Sequence, residues 1–456
     1  MTNKLTVVIL AAGQGTRMKS DLPKVLHRIA NKSILEHVIT TAQQLGAGSI
    51  CVVYGHGGER VPQTLAHLPV SWIEQAEQLG TGHAVAQAIQ SIQAEDIVLV
   101  LYGDVPLISK ETLVELIDAA GKDSLGLLTA KLDEPTGYGR IVRDESNKVV
   151  RIVEHKDATE EERQINEINT GLLAIQRNKL ASWLEKLDNK NAQGEYYLTD
   201  IIELSVQDNT DINTTSVNNI AEVMGINDKV QLAEMEREYQ MDQAEKLMRQ
   251  GVTLRDPRRV DIRGDVTVGK DVEIDVNVIF EGTVKLGDRV SVGAGSILRD
   301  VVVNDDVTIK AYCVIEEANI GAACQIGPFA RIRPETRLEE NVHIGNFVEV
   351  KKSHIDKGSK VNHLSYIGDT TMGSKVNIGA GTITCNYDGA NKYQTKIGND
   401  VFVGSDTQFI APVEIGDGAT IGAGSTITKE VPAGELTLSR SKQMLIKGWQ
   451  RPKKKS

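Results

Sequence analysis

The chain has 456 residues, with 51 Lys and Arg against 62 Asp and Glu for a formal net charge of −11, a length that holds two or three domains with cores of their own and a charge that argues against bulk nucleic-acid binding. Aromatic residues make up only 4% while Gly numbers 41, a small-residue, turn-rich composition unlike that of a helical bundle. The longest apolar runs, Val7–Ala12 and Ile97–Tyr102, fall far short of the ~20 residues of a membrane helix, and no basic stretch followed by an apolar one opens the chain, so a soluble, cytoplasmic protein is expected.

Up to about residue 229, short apolar strands alternate with amphipathic helices: LTVVIL, a helix near Ser33–Leu45, SICVVY, a helix from Gly82 to Ile92, and DIVLVL. That alternation predicts βαβ units around a parallel sheet, an α/β, Rossmann-like first domain. Asp228–Gln250 then lacks Gly and Pro, is dense in Glu, Gln, Met and Ala, and stops at Gly251. It predicts one linker helix, capped by Asn227 or Asp228 and ended by the glycine. The expected division is 1–229, a linker helix over 230–250, and 251–456.

The third segment repeats with a period of six. Aliphatic residues fall at Val268, Ile274, Phe280, Leu286, Val292 and Leu298, then at Val303, Ile309 and Ile315. They continue through Ile320, Ile326, Ile332, Leu338, Ile344, Val350, Ile355, Val361, Ile367, Met372 and Ile378 with occasional steps of five, and after a jump from Ile397 to Ile427. Six suits neither a helix nor a plain strand; it suits a short strand plus a turn wound into a three-sided coil, the aliphatic residue inward and a Gly, which often follows it, or an Asn taking the corner. Cys51, Cys313, Cys324 and Cys385 have no metal-ligand spacing and are expected as reduced, mostly buried thiols. The tail Lys453–Lys455 is locally cationic. These I/V-G-x-x-x-x tandems resemble the hexapeptide acyltransferases, which implies a left-handed parallel β-helix and a homotrimer.

Chemistry-bearing residues begin at the end of the first strand, where LAAGQGTRM (Leu10–Met18) is followed by DLPKVL (Asp21–Leu26). A Gly-rich turn after a strand offers backbone N–H groups to phosphate, and Arg17 and Lys24 add positive charge. The string is neither a dinucleotide-binding fingerprint nor a Walker A loop; it resembles the sugar-1-phosphate nucleotidyltransferases. That resemblance implies a nucleoside triphosphate and sugar-nucleotide site containing Leu10, Ala11, Ala12, Gly13 and Lys24, with Gln75 and the QLGTGHA stretch, including Gly80 and Thr81, reading the base. LYGDVPL places Tyr102, Gly103 and Asp104 at a strand end, where α/β sheets bind ligands. The resemblance further implies that Asp104 and Asn227 hold Mg²⁺, and that Gly139, Glu154 and Asn169 of TGYGR, VEHKD and INTGL contact the sugar. Attack by a sugar phosphate oxygen on an α-phosphorus needs cations and in-line placement rather than a general base, with Arg17 and Lys24 as the stabilising residues.

In the repeat segment the residues that break the bland pattern are Arg333, Lys351, His363, Tyr366 and Asn377, with an extruded loop Thr384–Lys396 carrying Asn386, Tyr387 and Lys392. N-acetylation of an amino sugar phosphate needs a base, for which His363 suits neutral pH, and cations for the phosphate, for which Arg333 and Lys351 suit; Tyr366 and Asn377 could orient the sugar. Across essentially its whole length the chain resembles the bacterial bifunctional N-acetylglucosamine-1-phosphate uridylyltransferase and glucosamine-1-phosphate N-acetyltransferase family. This implies UTP, glucosamine 1-phosphate, N-acetylglucosamine 1-phosphate and acetyl-CoA as substrates, with Ala380, Asn386, Tyr387, Ser405, Ala423 and Arg440 along the acetyl-CoA groove. Two rivals stay open: a nucleotidyltransferase whose prism is only a trimerisation scaffold, and the same fold acting on another sugar phosphate. A lone prism is expected to expose flat Val- and Ile-rich sides that trimerisation covers, with the loop reaching a neighbouring chain.

Overall fold

A computed structural model of the chain describes residues 4–13, 15–55, 58–121, 123–217 and 219–454. Gln14 of the first motif and Lys455 of the basic tail lie outside the described residues. The chain divides into two compact units, Met1–Tyr239 and Gln240–Ser456.

The first unit is built on a nine-stranded sheet of β1 (Leu5–Ala11), β2 (Ser49–Gly55), β3 (Ser71–Gln75), β4 (Ile97–Tyr102), β5 (Ser124–Lys131), β6 (Arg140–Arg143), β7 (Val149–Val153), β8 (Glu167–Gln176) and β9 (Asp211–Ser216). Their order is β9-β5-β8-β4-β1-β2-β3, with β6 pairing β8 and β7 pairing β6. In β1, Val7 and Ile9 join one apolar layer while Val8 and Leu10 join the layer on the opposite face. Helices cover both faces, which is why β1 and β4 read as unbroken apolar runs. Helix α1 (Ile34–Gln44) starts at Ser33, whose Oγ accepts from Glu36 N at 3.2 Å; α2 (Thr81–Ile89) and α3 (Lys110–Ala119) follow.

The sheet is not wholly parallel, as the alternation had predicted. β8 runs antiparallel to both β4 and β5. A parallel return needs a crossover of a dozen or more residues; between β5 and β8 the chain instead makes the β6–β7 hairpin and a single helical turn, Glu160–Arg163.

Helix α4 (Lys229–Arg249) is continuous, and the boundary between the two units falls within it. Asp228 Oδ1 accepts from Val230 N and Gln231 N at 2.9 Å, so Asp228 is the cap. At the other end Gly251, at φ 99°, donates to Met248 O, and Val252 N reaches back to Leu247 O. This is a Schellman stop that only a residue tolerating positive φ makes cheaply.

The second unit is a parallel β-helix. Ile274 pairs with Val292, Val292 with Ile309, Ile309 with Ile326 and Ile326 with Ile344. One turn therefore takes 17 or 18 residues, three sides of five or six, and the aliphatic series from Ile274 to Ile427 is at most 4% exposed at every position. A second inward column stands two residues before the first: Val272, Val290, Cys313, Cys324, Ser353 and Thr407 are all buried. Its hydroxyls bond coil carbonyls, as Thr407 Oγ1 does to Gly404 O at 2.7 Å. All four cysteines are free, and only Cys385 is not fully buried.

Three expectations change here. The left-handed corner falls three residues before the aliphatic position, at Asn277 and Asn341, as expected of Asn, and also at Asp271 and Asp306, but not at the Gly after it. That Gly is needed for close stacking: a Cβ on Gly379 would lie 2.5 Å from Ser405 N of the next coil, and one on Gly293 would lie 2.6 Å from Ala311 N. The outward surface is not flat and aliphatic. Val302, Ile383, Phe402 and Ile410 are exposed on it, and a largely aromatic edge column is formed by Tyr312, Phe329, Phe347 and Leu364, all exposed, the three rings stacked 5.2 and 5.3 Å apart. The extruded loop is shorter than predicted, because Ile383–Cys385 and Thr395–Ile397 are strands and the loop is 386–394.

Candidate functional site

In the first unit β1 has β4 on one side and β2 on the other, so the chain changes direction at its C-terminal end, where a crevice opens. A cavity of about 570 Å³ sits there, lined by Leu10, Ala11, Ala12, Gly13, Lys24, Gln75, Gly80, Thr81, Tyr102 and Asp104. Val25, Gln78, Ala84 and Glu195 complete the wall. An adjoining lobe of about 290 Å³ runs past Ser20–Val25 and Tyr54. Gly103 packs behind it, its N–H donating to Leu10 O at 2.8 Å.

Lys24 Nζ lies 2.5 Å from Asp104 Oδ2 and 3.2 Å from Asn227 Oδ1. Two oxygens from segments far apart in sequence thus converge on one cation. Ile226 N donates to Asp104 O at 2.9 Å and Asn227 N to Gln231 Oε1 at 2.7 Å, which hold the pair in place. Gly15 explains itself here: its φ is 63°, and a Cβ would sit 2.6 Å from Lys24 Cβ. Arg17 stands apart, exposed on the short turn Thr16–Met18 and absent from the cavity wall.

Gly139, Glu154 and Asn169 come together on the far side of Tyr102. A Cβ on Gly139 would be 3.5 Å from both Glu154 carboxylate oxygens, and Asn169 N donates to Gly139 O at 2.9 Å. The β8 register shifts between Asn169 and Leu173, and Gly171, at φ 84°, leaves room for the Tyr102 ring. Burial pushes the Glu154 carboxyl up despite the hydroxyl of Thr199 donating to it at 3.0 Å, and it pushes the Tyr102 phenol up. Asp200, shielded from water beside Glu154, is raised to about 6.

In the second unit Asn346, His363, Ala380, Ser405, Ala423 and Arg440 occupy successive coils along one edge. Asn346 pairs with His363, Asp406 N donates to Ala380 O, Gly424 N to Ser405 O, and Arg440 Nη1 to Ala423 O at 3.0 Å. His363 is exposed, its Nδ1 3.0 Å from Asn346 Oδ1. A second group gathers on the adjoining side. Arg333 Nη1 donates to Glu349 Oε1 at 2.7 Å, and the Lys392 amine in hydrogen-bonding contact pushes Lys351 below the ordinary lysine range. Tyr366 pairs with Glu349 in register, and Asn386 Nδ2 reaches its hydroxyl at 3.5 Å while bonding Asp369. Asn377 lies on the other strand stack, between Lys360 and Phe402. Tyr387 is exposed in the loop, its hydroxyl donating to Gly389 O at 2.6 Å.

The sequence reading did not single out Gln78, whose Nε2 donates to Ala12 O at 2.7 Å, although it stands three residues after Gln75. Glu195, Thr199 and Glu349 carried no spacing signal at all.

Residues 7–189 match the MobA-like NTP transferase domain, and residues 317–352 and 394–429 match the bacterial transferase hexapeptide (six repeats). The chain is 60% identical over 454 residues to the bifunctional protein GlmU of Nitrosospira multiformis, covering 99% of each. Among solved structures, a nucleotidyl transferase from Methanothermobacter thermautotroptrophicus aligns at 16% identity and a TM-score of 0.38, covering 52% of this chain and 98% of that one.

Proposed function

The chain belongs to the bifunctional GlmU family, a bifunctional transferase with a nucleotidyltransferase unit and a hexapeptide-repeat acyltransferase unit, and from that premise we propose which residues carry each reaction. The second unit acetylates glucosamine 1-phosphate from acetyl-CoA. The first joins the resulting N-acetylglucosamine 1-phosphate to UTP, releasing pyrophosphate. The observation that carries the reading is the convergence of Lys24, Asp104 and Asn227 at the mouth of a cavity walled by the Gly-rich turn and by Gln75.

Asp104 Oδ2 and Asn227 Oδ1 already reach a single cationic atom, and an oxygen-only pair that leaves room for phosphate and water fits Mg²⁺. When bound, the ion neutralises charge on the triphosphate. Lys24, released from Asp104, then carries its charge to the phosphates beside the N–H groups of Ala12 and Gly13. The sugar phosphate oxygen attacks the α-phosphorus, the bond to pyrophosphate breaks, and the charge gathering on the non-bridging oxygens is met by fixed cations. Glu154 and Asn169 supply acceptors and donors for the sugar. Arg17, away from the cavity wall, takes part through a rearrangement of its turn.

At the second site the amine nitrogen attacks the thioester carbonyl, His363 Nε2 removes its proton, and CoA leaves as the thiolate that this proton neutralises. Arg333, Lys351 and Lys392 meet the phosphate, and Tyr366 and Asn377 orient the sugar. Ala380, Ser405, Ala423 and Arg440 form a strip running from His363, the length an extended coenzyme requires; Asn386 and Tyr387 flank it. The assembly is a homotrimer: the exposed edge column and the exposed tail residues Met444, Leu445, Ile446 and Trp449 leave apolar surface that a single chain cannot cover. No helix among the described residues is long and apolar enough to cross a membrane.

Incubation with glucosamine 1-phosphate, acetyl-CoA, UTP and Mg²⁺, following free thiol and pyrophosphate separately, tests the proposal. Thiol should appear first and pyrophosphate after it. Pyrophosphate release from added N-acetylglucosamine 1-phosphate, without thiol release from glucosamine 1-phosphate, would leave the prism a scaffold.

A further inference from the structure

His83 lies within the QLGTGHA stretch but is not a wall residue of the cavity and was given no role above, yet it is bonded on both ring nitrogens. It stands in the first turns of α2, and Gln75, buried at the end of β3, places its Nε2 3.0 Å from His83 Nδ1 and 3.1 Å from Gly80 O. Gln87 Nε2, one turn further along α2, stands 3.0 Å from His83 Nε2 and 3.4 Å from His83 O. The two amide nitrogens cannot both donate to one neutral imidazole, so one amide is turned over, and the carbonyl contact each would lose decides which. Gly80 O can only accept, so the Gln75 NH₂ must face it; turning that amide over would set two carbonyl oxygens against each other. The second N–H of Gln75 then donates to Nδ1. A neutral imidazole has one N–H, so its proton is on Nε2, and Gln87 receives it through its amide oxygen. Gln87 rather than Gln75 is the amide that turns over, since this gives up a 3.4 Å donation to His83 O whereas turning Gln75 would give up the shorter, 3.1 Å donation to Gly80 O.

Both hydrogens of the Gln75 amide are therefore used, and its Oε1 has no partner among the described residues. That oxygen is left to the cavity that Gln75 lines. We infer that His83, acting through Gln75, is a positioning residue that sets base choice: it presents a fixed acceptor to the edge of the base. Such an acceptor pairs with a ring N–H, as uracil has at N3, and opposes the N3 lone pair of cytosine. The inference rests on the nucleotide reading of this cavity and deepens it by naming what enforces the choice. An acceptor left facing an acceptor in a dry site costs enough for roughly 10–100-fold discrimination.

Without an acceptor at the Nδ1 position, the Gln75 amide can turn and offer N–H to cytosine. The test compares UTP with CTP on the full-length enzyme, by calorimetric binding and by pyrophosphate release, in the unaltered chain, in His83→Leu and in His83→Asn. The asparagine Oδ1 falls where Nδ1 stands and keeps an acceptor for Gln75. The UTP-to-CTP preference should fall at least ~10-fold in His83→Leu and return most of the way in His83→Asn, while acetyl-CoA-dependent thiol release stays unchanged as a check on folding. A His83→Leu preference equal to that of the unaltered enzyme would overturn the inference, as would an equal loss in both variants or equal binding of UTP and CTP from the start. Binding that follows the expected pattern with no pyrophosphate release in any variant would instead keep the positioning role and overturn the proposed reaction.

Discussion

Asp200 offers a test with a sign fixed by electrostatics. Its carboxyl is half-buried and raised from near 3.8 to about 6, first by burial and then by Glu154, Asp188, Glu203 and Asp157 around it. A carboxyl that binds its proton more tightly folded than unfolded costs no stability below pH ~4, where both states are protonated. It costs progressively more as pH rises, until the folded state ionises near pH 6, and the full cost persists above that. At ~1.4 kcal/mol for each tenfold change in proton affinity, the ceiling is ~3 kcal/mol; half-exposure to water and counterions brings the expected cost to ~1 kcal/mol. Asp200→Asn removes the charge at nearly constant shape, so the first unit should gain ~1 kcal/mol at pH 8, or ~2–4 °C in its melting midpoint. Scanning calorimetry reads this directly, with the first unit's transition recognised by its rise on adding UTP. The gain should fade below pH 6 and vanish near pH 4. A loss of stability at pH 8, or a gain that grows on acidification, would refute the reasoning.

Gly171→Ala should lower uridylyl transfer at least ~10-fold with acetyl transfer unchanged, because the residue has φ 84° and its new methyl would lie 2.9 Å from Tyr102 Cζ, a strain of ~1–3 kcal/mol delivered onto a cavity wall; parallel thiol and pyrophosphate assays check it. Replacing Phe329 and Phe347 together by Ser should dissociate the assembly in light scattering and lower acetyl transfer before uridylyl transfer, since within one chain both rings stack only along the edge column and keep about half their surface exposed. Chelation with EDTA should stop pyrophosphate release and spare thiol release, and added Mg²⁺ should restore the former.

The parts of the fold legible in the sequence are those where one physical rule dominates. The aliphatic residues that the six-residue period picked out from Ile274 to Ile427 are all in the core, because each side of the coil turns one apolar side chain into its interior. The companion column was invisible, since Val, Cys, Ser and Thr share it and look like noise until Ser353 and Thr407 are seen bonding backbone carbonyls. Gly after each aliphatic was seen but misread: composition cannot separate a glycine needed for φ from one needed for close approach, and Gly379 is the second kind. The direction of β8 was also hidden, because Glu167–Gln176 is apolar enough to pass for another parallel strand. At the candidate sites, strand ends and Gly-rich turns marked Leu10–Gly13 and Asp104. The bond from Lys24 to Asp104, the distance of Arg17 from the wall, and the clamp of His83 on Gln75 arise from residues brought together only by folding.

Two reactions are carried by separate residues of one chain, and complementation between two variants tests this most directly. Asp104→Ala and His363→Ala proteins, each alone and then mixed, should be given glucosamine 1-phosphate, acetyl-CoA, UTP and Mg²⁺, with thiol and pyrophosphate followed in parallel. Asp104→Ala should release thiol without pyrophosphate. His363→Ala, its acetyl step slowed ~10²–10⁴-fold, should release pyrophosphate only when N-acetylglucosamine 1-phosphate is supplied, and the mixture should release both from the starting substrates. Loss of thiol release in folded Asp104→Ala, or near-normal acetylation by His363→Ala, would contradict it.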